Sequence, residues 1–507
     1  MQGRPHLQPV LEPVPISDLL EVQRTILQML QTRTTRPRSS RGTPFFAGFL
    51  LILMLSLSGT ALAQNLDALL AEAEVMGASI AIIKGGEVVE TWVSGERSSV
   101  TNQPITSETV FEAESLSKPM VAYIALRLIE EGKLELDKPL AEYASYSDAA
   151  HDTRYLKITT RMVLSHTSGF PNFRTPGEAL SILFEPGSFF TYSGEGFLFL
   201  QETLEAITYT TLEDLARTYV FEPLEMYSSS FVWQTDFGQK IAVGHSDMGA
   251  ALDKFIPQKA NAAFSLHTTA SDYARFMVAV QEGEGLGRGL FKDLTMAQVD
   301  ALDGIFWGLG WGLQPTMRGQ SIWQWGDNAG YKSFAYLEPD AEQGFVFLSN
   351  SANGMLVLHS LFESILSGPQ TAVRWLNYER YDDPQYLLGR RLHYAVLAGG
   401  IDAAKTEYEA AKEDLDALAF QEDALNSLGY RLLRQGLIEE SIAIFAFNVD
   451  LYSSSANAFD SLAEGHLAAG DLESALENYE TSVRMDSGNV NGISMIQVIE
   501  SQLQQQN

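Results

Sequence analysis

Ser115 and Lys118 have the residue types and spacing of a nucleophile and its base. They lie in residues 115–119 (SLSKP), which precede a helical run over residues 120–131. Positions three apart share one face of a helix, so the hydroxyl and the amine can come within hydrogen-bond distance near the helix N-terminus. A serine becomes a good nucleophile only when a base takes its proton, and a lysine is such a base only when burial keeps it neutral. The pair is therefore a candidate for nucleophilic catalysis, with Ser115 as the nucleophile and Lys118 as its base.

Other catalytic chemistries lack their motifs in this chain. No GxSxG turn occurs, which argues against the α/β-hydrolase arrangement. The eight histidines never form HExxH, and there are no cysteines, so the common zinc hydrolase and deaminase layouts are unsupported. We predict no catalytic metal and no cofactor.

The SxxK pattern alone is weak, because a serine and a lysine often fall at this spacing on surface helices. Three further runs follow it in order: residues 164–169 (LSHTSG), residues 186–194 with Pro186-Gly187 and Tyr192-Ser193-Gly194, and residues 323–328 (WQWGDN). The ordered set resembles the β-lactamase-related serine hydrolases, which include class C β-lactamases, D-alanyl-D-alanine carboxypeptidases and esterases. The resemblance covers about residues 75–365 and implies their fold and an acyl-enzyme mechanism.

The resemblance also implies roles for individual residues. Ser115 would be the nucleophile, Lys118 its base and Tyr192 a second acid/base. The backbone N–H groups of Ser115 and Asp327 would form the oxyanion hole. The strand that lines the acyl site would carry the expected substrate-binding residues, which are Gln324, Gly326 and Asp327. We interpret His166, within LSHTSG, as a buried structural residue.

Two positions depart from the family pattern. Gly194 stands where the YxN motif has its asparagine, and Gln324 stands where a strand motif opens with lysine or histidine. The first change removes an amide that orients substrate, and the second replaces a cation with a neutral group. A charge-assisted hydrogen bond is stronger than a neutral one by about 1–2 kcal/mol. The expected substrates are therefore esters, amides or peptides without a carboxylate at that place, unless Lys332 compensates.

Two features of the expected site stay open at the level of sequence. Asp327 and Asn328 lie where family members have small residues, and they would narrow the acyl pocket. An aromatic cluster fits either a broad apolar wall of the site or core packing; it comprises Phe306, Trp307, Trp311, Trp323 and Trp325.

The strands and helices predicted around these residues indicate an α+β domain. Residues 78–83 and 88–93 are β-branched runs joined across Lys84-Gly85-Gly86-Glu87, which predicts a hairpin. Residues 333–337 and 345–349 predict a second hairpin at the far end of the domain. Strands at both ends enclose a helical middle, so we expect an antiparallel sheet flanked by helices, with an inserted helical lobe. The domain is predicted to span residues 64–375.

An all-α region follows, with a repeat of period 34. Leu428, Gly436, Ser441 and Phe445 recur as Leu462, Gly470, Ala475 and Tyr479. The spacing resembles tetratricopeptide repeats and predicts stacked helical hairpins over residues 424–507. Residues 376–423 are a helical linker or a degenerate unit, marked by Tyr394, Gly400, Ala404 and Tyr408. This region is either a plain helical extension or a docking surface for a protein partner.

The N-terminus predicts export. An apolar stretch over residues 45–57 follows several arginines and ends in Ala61-Leu62-Ala63, so residues 1–63 read as a leader and signal peptide, cut after Ala63. The alternative is an uncleaved anchor, which is marginal for spanning a bilayer. We expect an exported, periplasmic or secreted chain without a stable membrane span once mature.

The net charge and the motifs together limit the classes of function that we expect. The chain carries 34 Lys and Arg against 64 Asp and Glu, a formal net charge of −30, so nucleic acid is not an expected partner. The favoured function is an exported serine hydrolase acting on a small-molecule or peptide substrate, with the repeats selecting where it acts as a further possibility. The alternative is an inactive peptidoglycan- or peptide-binding module, motivated by the changes at Gly194 and Gln324.

Overall fold

A computed structural model describes residues 65–506, apart from residues 176, 367 and 369. The predicted leader and its cleavage site lie outside these residues. Eleven strands are described: β1 (Gly77–Lys84), β2 (Glu87–Ser98), β3 (Gln103–Pro104), β4 (Phe111–Glu114), β5 (Leu266–Thr268), β6 (Val299–Asp300), β7 (Phe306–Trp307), β8 (Gly312–Thr316), β9 (Gly319–Asn328), β10 (Tyr331–Glu338) and β11 (Gln343–Ser349).

The two predicted hairpins form the centre of an antiparallel sheet. β1 and β2 are joined through Gly85 and Gly86, which both take positive φ, as a tight turn that matches strand twist requires. β10 pairs with β11, and β11 pairs with β1 from Ala78↔Ser349 onward. The strand order is β3-β2-β1-β11-β10-β9-β8-β7-β6, with β4 and β5 as a separate pair. The α+β prediction, with a sheet built from both ends of the domain, is confirmed.

Helices pack on the sheet and fill the sequence between its two halves. The helices of this part are α1 (residues 65–72), α2 (Ser117–Glu130), α3 (Thr160–Leu164), α4 (Gly194–Thr208), α5 (Leu212–Ala216), α6 (Phe237–Lys240), α7 (Ala270–Glu282), α8 (Arg288–Thr295), α9 (Leu358–Ile365) and α10 (Thr371–Leu376). Eleven of the fourteen residues of α2 are buried, so this helix runs through the core rather than along its surface. That burial is what removes its first turn from water.

The chain from residue 384 onward is helical. Its helices are α11 (Pro384–Ala411), α12 (Glu422–Arg434), α13 (Ile438–Leu451), α14 (Ala456–Ala468), α15 (Leu472–Met485) and α16 (Val490–Gln506). The bounds of α12 and α13 recur in α14 and α15 after 34 residues, which matches the period of the sequence. Gly436 and Gly470 both take a φ of 78° directly after the first helix of their unit, a conformation that favours glycine.

The earlier, degenerate unit is a helical hairpin as well. Gly399 and Gly400 break α11, and the side chains of Arg391 and Glu407 form an ion pair of 2.6 Å, so the two halves of the helix run side by side. Tyr394, which the sequence suggested as a marker of this unit, is 44% exposed, whereas Leu392 is fully buried. Leu392 is therefore the core residue, because its side chain faces the neighbouring helix.

No helix among residues 65–506 that the structure describes has the length and apolar character needed to cross a bilayer.

Candidate active site

Ser115 and Lys118 meet at the start of α2. The Lys118 amine donates to the Ser115 hydroxyl at 2.9 Å and to the backbone carbonyl of Ala263 at 2.8 Å. Ser115 lies in the turn before the helix, because α2 begins only at Ser117. Glu114 makes that turn possible with a φ of 54°, an unfavourable backbone conformation for a side chain other than glycine. Because β4 ends at Glu114, the turn that follows it places the Ser115 hydroxyl next to the Lys118 amine.

Burial sets the protonation of Lys118. Its side chain is 1% exposed, and loss of water around the ammonium lowers the pKa of Lys118 to about 7, while the nearby Glu114 opposes this shift. An amine with a pKa near 7 is present in its neutral form in a large fraction of molecules at neutral pH. It can therefore accept the proton of the serine that it contacts.

Tyr192 completes the group around the nucleophile. Its ring lies 4.9 Å from the Lys118 amine, and its hydroxyl interacts with Ser115. Gln324 donates its amide N–H to the Tyr192 hydroxyl at 2.6 Å and to the Ser115 carbonyl at 3.2 Å. Burial raises the pKa of Tyr192, so the phenol is held in its protonated form. Gln324 is fully buried and turns its amide toward Tyr192 rather than toward open space.

His166 supports the loop that carries Tyr192. Its Nδ1 accepts from the backbone N–H of Ser193 at 2.9 Å, and its ring lies 4.3 Å from the Tyr192 ring. Complete burial lowers the pKa of His166 well below its usual value, so the imidazole is neutral and Nδ1 is free to accept. The geometry supports the structural interpretation of this residue.

The end of β9 passes directly over the nucleophile turn. A side chain at Gly326 would place a carbon 2.7 Å from Cβ of Glu114 and 2.8 Å from the carbonyl oxygen of Ala113, so only glycine fits there. Asp327 follows and forms an ion pair with Lys332 at 2.6 Å. The Lys332 amine also donates to the Asn328 carbonyl at 2.7 Å. Lys332 therefore does not replace the missing cation at Gln324, because its charge is already paired with Asp327.

Asn172 occupies the space beside Gly194. Gly194 begins α4, and its backbone N–H donates to the Asn172 side-chain oxygen at 3.1 Å. A Cβ at position 194 would lie 3.2 Å from that oxygen and 2.7 Å from the Asn172 carbonyl. The YxN asparagine is absent at Gly194, but the side-chain amide of Asn172 lies beside that position.

A cavity of about 440 Å³ opens over the nucleophile. It is lined by Glu114, Ser115, Asn172, Phe173, Tyr192, Phe264, Trp325, Asp327 and Asn328. Its polar groups are carboxyls, amides and the hydroxyls of Ser115 and Tyr192, and four of its nine lining residues are aromatic. Asn328 donates to the Glu114 carboxyl at 3.3 Å and lines one side of the cavity.

Two buried carboxyl groups lie beside the nucleophile. Glu112 and Glu114 are 5% and 4% exposed and interact with each other. Burial raises the pKa of both groups, and repulsion from Glu112 adds to the effect on Glu114. Two such carboxyls cannot both ionise at low cost, so the pair retains a proton near neutral pH.

The aromatic cluster divides between core and cavity. Trp307, Trp311 and Trp323 are fully buried and belong to the core. Trp325 lines the cavity, and its ring lies 4.6 Å from that of Tyr192. No group of three or more residues able to ligate a metal occurs within the part of the chain that the structure describes.

The sequence did not single out Glu114, Asn172 or Tyr378, whose hydroxyl donates to the Asp327 carboxylate. Glu114 had one visible signal, an acid between the apolar Ala113 and the nucleophile. Asn172 had none, because its role depends on contact with a residue 22 positions away.

The antiparallel sheet, with Ser115, the buried Lys118 and Tyr192 brought together beside the core helix α2, is a serine hydrolase-like fold. The chain belongs to the Beta-lactamase family, whose model matches residues 62–366.

Curated relatives carry several activities in their names. Penicillin-binding protein 4 of Amycolatopsis lactamdurans is 25% identical over 42% of this chain and 61% of its own length. Esterase EstB of Burkholderia gladioli is 31% identical over 22% of this chain and 30% of its own. The chain therefore spans less than two thirds of both relatives.

Solved structures share the fold. A class C β-lactamase superimposes with a TM-score of 0.54 at 20% identity, covering 62% of this chain and 98% of that one. The octameric penicillin-binding protein homologue from Pyrococcus abyssi gives 0.53 at 21% identity, over 66% and 81%. The helical region from residue 384 lies beyond the family match.

Proposed function

We propose that this protein is a serine hydrolase that acts through an acyl-enzyme on ester, amide or peptide substrates. The observation that carries the proposal is the buried Lys118 amine, 2.9 Å from the Ser115 hydroxyl, with its pKa lowered to about 7. A lysine whose pKa is lowered by burial, in hydrogen-bond contact with a serine hydroxyl, has the arrangement of a general base and its nucleophile.

The proposed reaction has two halves. Lys118 removes the proton of Ser115 as the hydroxyl oxygen attacks the substrate carbonyl, and the resulting tetrahedral oxyanion is held by the backbone N–H groups of Ser115 and Asp327. Tyr192 relays the proton to the leaving group, whose bond to the carbonyl carbon breaks. Water then attacks the acyl-enzyme, gives its proton to the same pair and releases the acid, which restores the serine.

The charge of the cavity supports substrates without a carboxylate near the scissile bond. Gln324 is neutral and engaged with Tyr192, while the positive charge of Lys332 is paired with Asp327. Glu114 and Asp327 both line the cavity. A substrate carboxylate placed there would meet the Asp327 carboxylate and no unpaired cation among the described lining residues, which disfavours its binding.

A substrate panel with serine variants tests the proposal. We expect the full-length chain to hydrolyse p-nitrophenyl esters, to label with a fluorophosphonate and to lose both activities in Ser115→Ala. Ser364→Ala is the matched control, since that hydroxyl bonds only the Ser360 carbonyl in α9. We expect nitrocefin and D-alanyl peptides, which carry the carboxylate, to react at least tenfold more slowly than a neutral ester.

The same panel separates the enzyme from a binding module. Labelling that is absent, or that persists in Ser115→Ala, would reject the hydrolase and favour the module. Specific binding of a peptide without any turnover would identify it.

Asn172 is proposed as the amide that orients the acyl group. Asn172→Asp keeps the oxygen that accepts from Gly194 but loses the N–H donor. We expect about a tenfold loss of kcat/KM for an ester whose acyl chain carries an amide carbonyl, and an unchanged value for a plain acyl ester of equal length. An equal loss for both esters would contradict this role.

Two further proposals concern the ends of the chain. We propose that residues 1–63 are removed on export, which mass spectrometry of the secreted chain checks by finding Gln64 at its start. We also propose that the helical units of residues 376–423 and 424–507 bind a protein partner. Cross-linking of the full-length chain in its host would place the partner on these units or elsewhere.

A further inference from the structure

The segment of residues 375–381, which comprises the last two residues of α10 and the chain after it, lies against the end of β9. The Trp375 ring packs edge-on against Trp323 and Trp325, with centroids 5.7 and 5.9 Å apart, and its Nε1–H donates to the Ala301 carbonyl at 3.1 Å. Trp325 in turn packs against Tyr192, with the two rings tilted by 41°. The segment therefore forms the outer layer behind one wall of the cavity.

Tyr378 reaches the cavity from this segment. Its hydroxyl donates to one carboxylate oxygen of Asp327, and the other oxygen pairs with Lys332. The carboxylate is thus held from two sides, by β10 and by the segment after α10. Burial and the neighbouring Asp327 both raise the pKa of Tyr378, so its hydroxyl remains a donor throughout the neutral range.

These two contacts of the Asp327 carboxylate matter because of where Asp327 lies in the sheet. β9 ends at Asn328 and returns into β10 at Tyr331, so Asp327 is one residue from a chain reversal at the end of the sheet. Strand ends are the parts of a sheet that move most readily. An oxyanion donor acts well only when it stays within about 0.5 Å of its required position.

The segment is itself fixed on its far side. Glu379 accepts from Arg431 of α12 at 2.9 Å, and Arg431 also lies 3.8 Å from Asp247. The Arg431 side chain is 15% exposed and the Glu379 side chain is 42% exposed, so the pair is shielded from bulk water on the Arg431 side only. Tyr378 is therefore held between the sheet and the first unit of the helical region.

We propose that Tyr378 is a positioning residue for the acyl-transfer reaction and that the segment after α10 completes the active site. It acts through Asp327, whose carboxylate it fixes so that the backbone N–H at that position stays aimed at the oxyanion. This inference rests on the proposed hydrolase function. The residue lies outside the matched family region, residues 62–366, so a protein trimmed to that region would lack it.

Tyr378→Phe in the full-length chain tests the proposal, with Tyr381→Phe as the matched control. Tyr381 lies in the same segment and packs against the same core, and no hydrogen bond of its hydroxyl occurs among the described residues. We expect kcat on a neutral p-nitrophenyl ester to fall about tenfold in Tyr378→Phe, because small displacements of a donor are costly. KM should stay within twofold of wild type, and Tyr381→Phe should match wild type in both constants.

A boronic acid provides the second measurement, since its tetrahedral adduct with Ser115 carries the oxyanion that the donor binds. Its affinity should fall about tenfold in Tyr378→Phe, in step with kcat, while the unfolding midpoint stays unchanged. This inference alone would be overturned if the wild type shows Ser115-dependent turnover and Tyr378→Phe keeps its kcat and its boronate affinity within twofold of the wild type. A wild-type chain without turnover would instead reject the hydrolase function and this inference together.

Discussion

Replacing Lys118 with methionine should abolish catalysis and stabilise the protein at the same time. The side chain is 1% exposed, and its pKa is lowered from 10.5 to about 7. Each tenfold change in a protonation equilibrium is worth about 1.4 kcal/mol, so burying this ammonium costs the folded state about 5 kcal/mol. Methionine fills a similar volume and avoids that cost, but it loses two hydrogen bonds worth about 1 kcal/mol each. The expected net gain is about 3 kcal/mol.

The gain has a defined dependence on pH. Because the folded pKa lies below the unfolded one, the penalty in the wild type is complete below pH 7 and fades as the pH rises toward 10.5. The stability difference between Lys118→Met and wild type should therefore shrink from pH 6 to pH 10. Acylation by the wild type should rise with pH through about 7, because only the neutral amine accepts the serine proton.

Denaturant unfolding and fluorophosphonate labelling, both followed from pH 6 to pH 10, measure these two quantities. Lys133→Met is the control, since that amine is half exposed, and its stability should lie within about 0.5 kcal/mol of wild type. A Lys118→Met protein that is destabilised at pH 7, or that still labels at the wild-type rate, would refute the assignment of a buried neutral base.

Three further outcomes follow from the site and the repeats. Gly326→Ala should reduce stability by about 1–3 kcal/mol and lower ester turnover, because the added carbon meets the Ala113 carbonyl oxygen at 2.8 Å; unfolding and kinetics on one preparation check this. Glu114→Gln should move the pH–rate rise to lower pH, since the carboxylate favours the protonated form of Lys118; a pH–rate profile shows the direction. Phe445→Ala should cost about 3–5 kcal/mol, because this fully buried ring packs on its neighbouring helices; circular dichroism during denaturant unfolding measures it.

Each of these outcomes has a contrary result. A Gly326→Ala chain with wild-type stability would show that β9 can shift away from the turn. An unchanged pH–rate profile in Glu114→Gln would show that the carboxyl is protonated whenever Lys118 titrates. Leu418→Ala, at a residue 64% exposed, is the control for Phe445→Ala and should change stability little.

The parts of the fold that were predictable are those with local patterns. The hairpin across Gly85-Gly86 follows from turn chemistry, and the period of 34 follows from small and aromatic residues that recur along the chain. Ser115 and Lys118 were visible because three positions along one turn bring them together. In each case the residues that interact are close in sequence or repeat at a fixed distance.

The rest of the site depends on contacts that no spacing encodes. The ion pair of Lys332 with Asp327 requires their register in the β9–β10 hairpin, and Tyr378 meets Asp327 across 51 positions of chain. The neighbourhood of Gly194 likewise depends on how Asn172 folds back onto α4. Such pairings are decided by packing of the whole domain, so composition and periodicity do not reveal them.

The helical hairpins after residue 422 begin and end at equivalent positions, 34 residues apart. A duplicated unit would therefore offer its neighbours the same surfaces that the existing units already present, and it would need no new packing arrangement. Adding or removing one whole unit at the far end would leave the stacking contacts of the remaining units in place. The ion pairs of Arg431 belong to the first of these units, so such a change would leave the contacts of Arg431 with Glu379 and Asp247 unaltered.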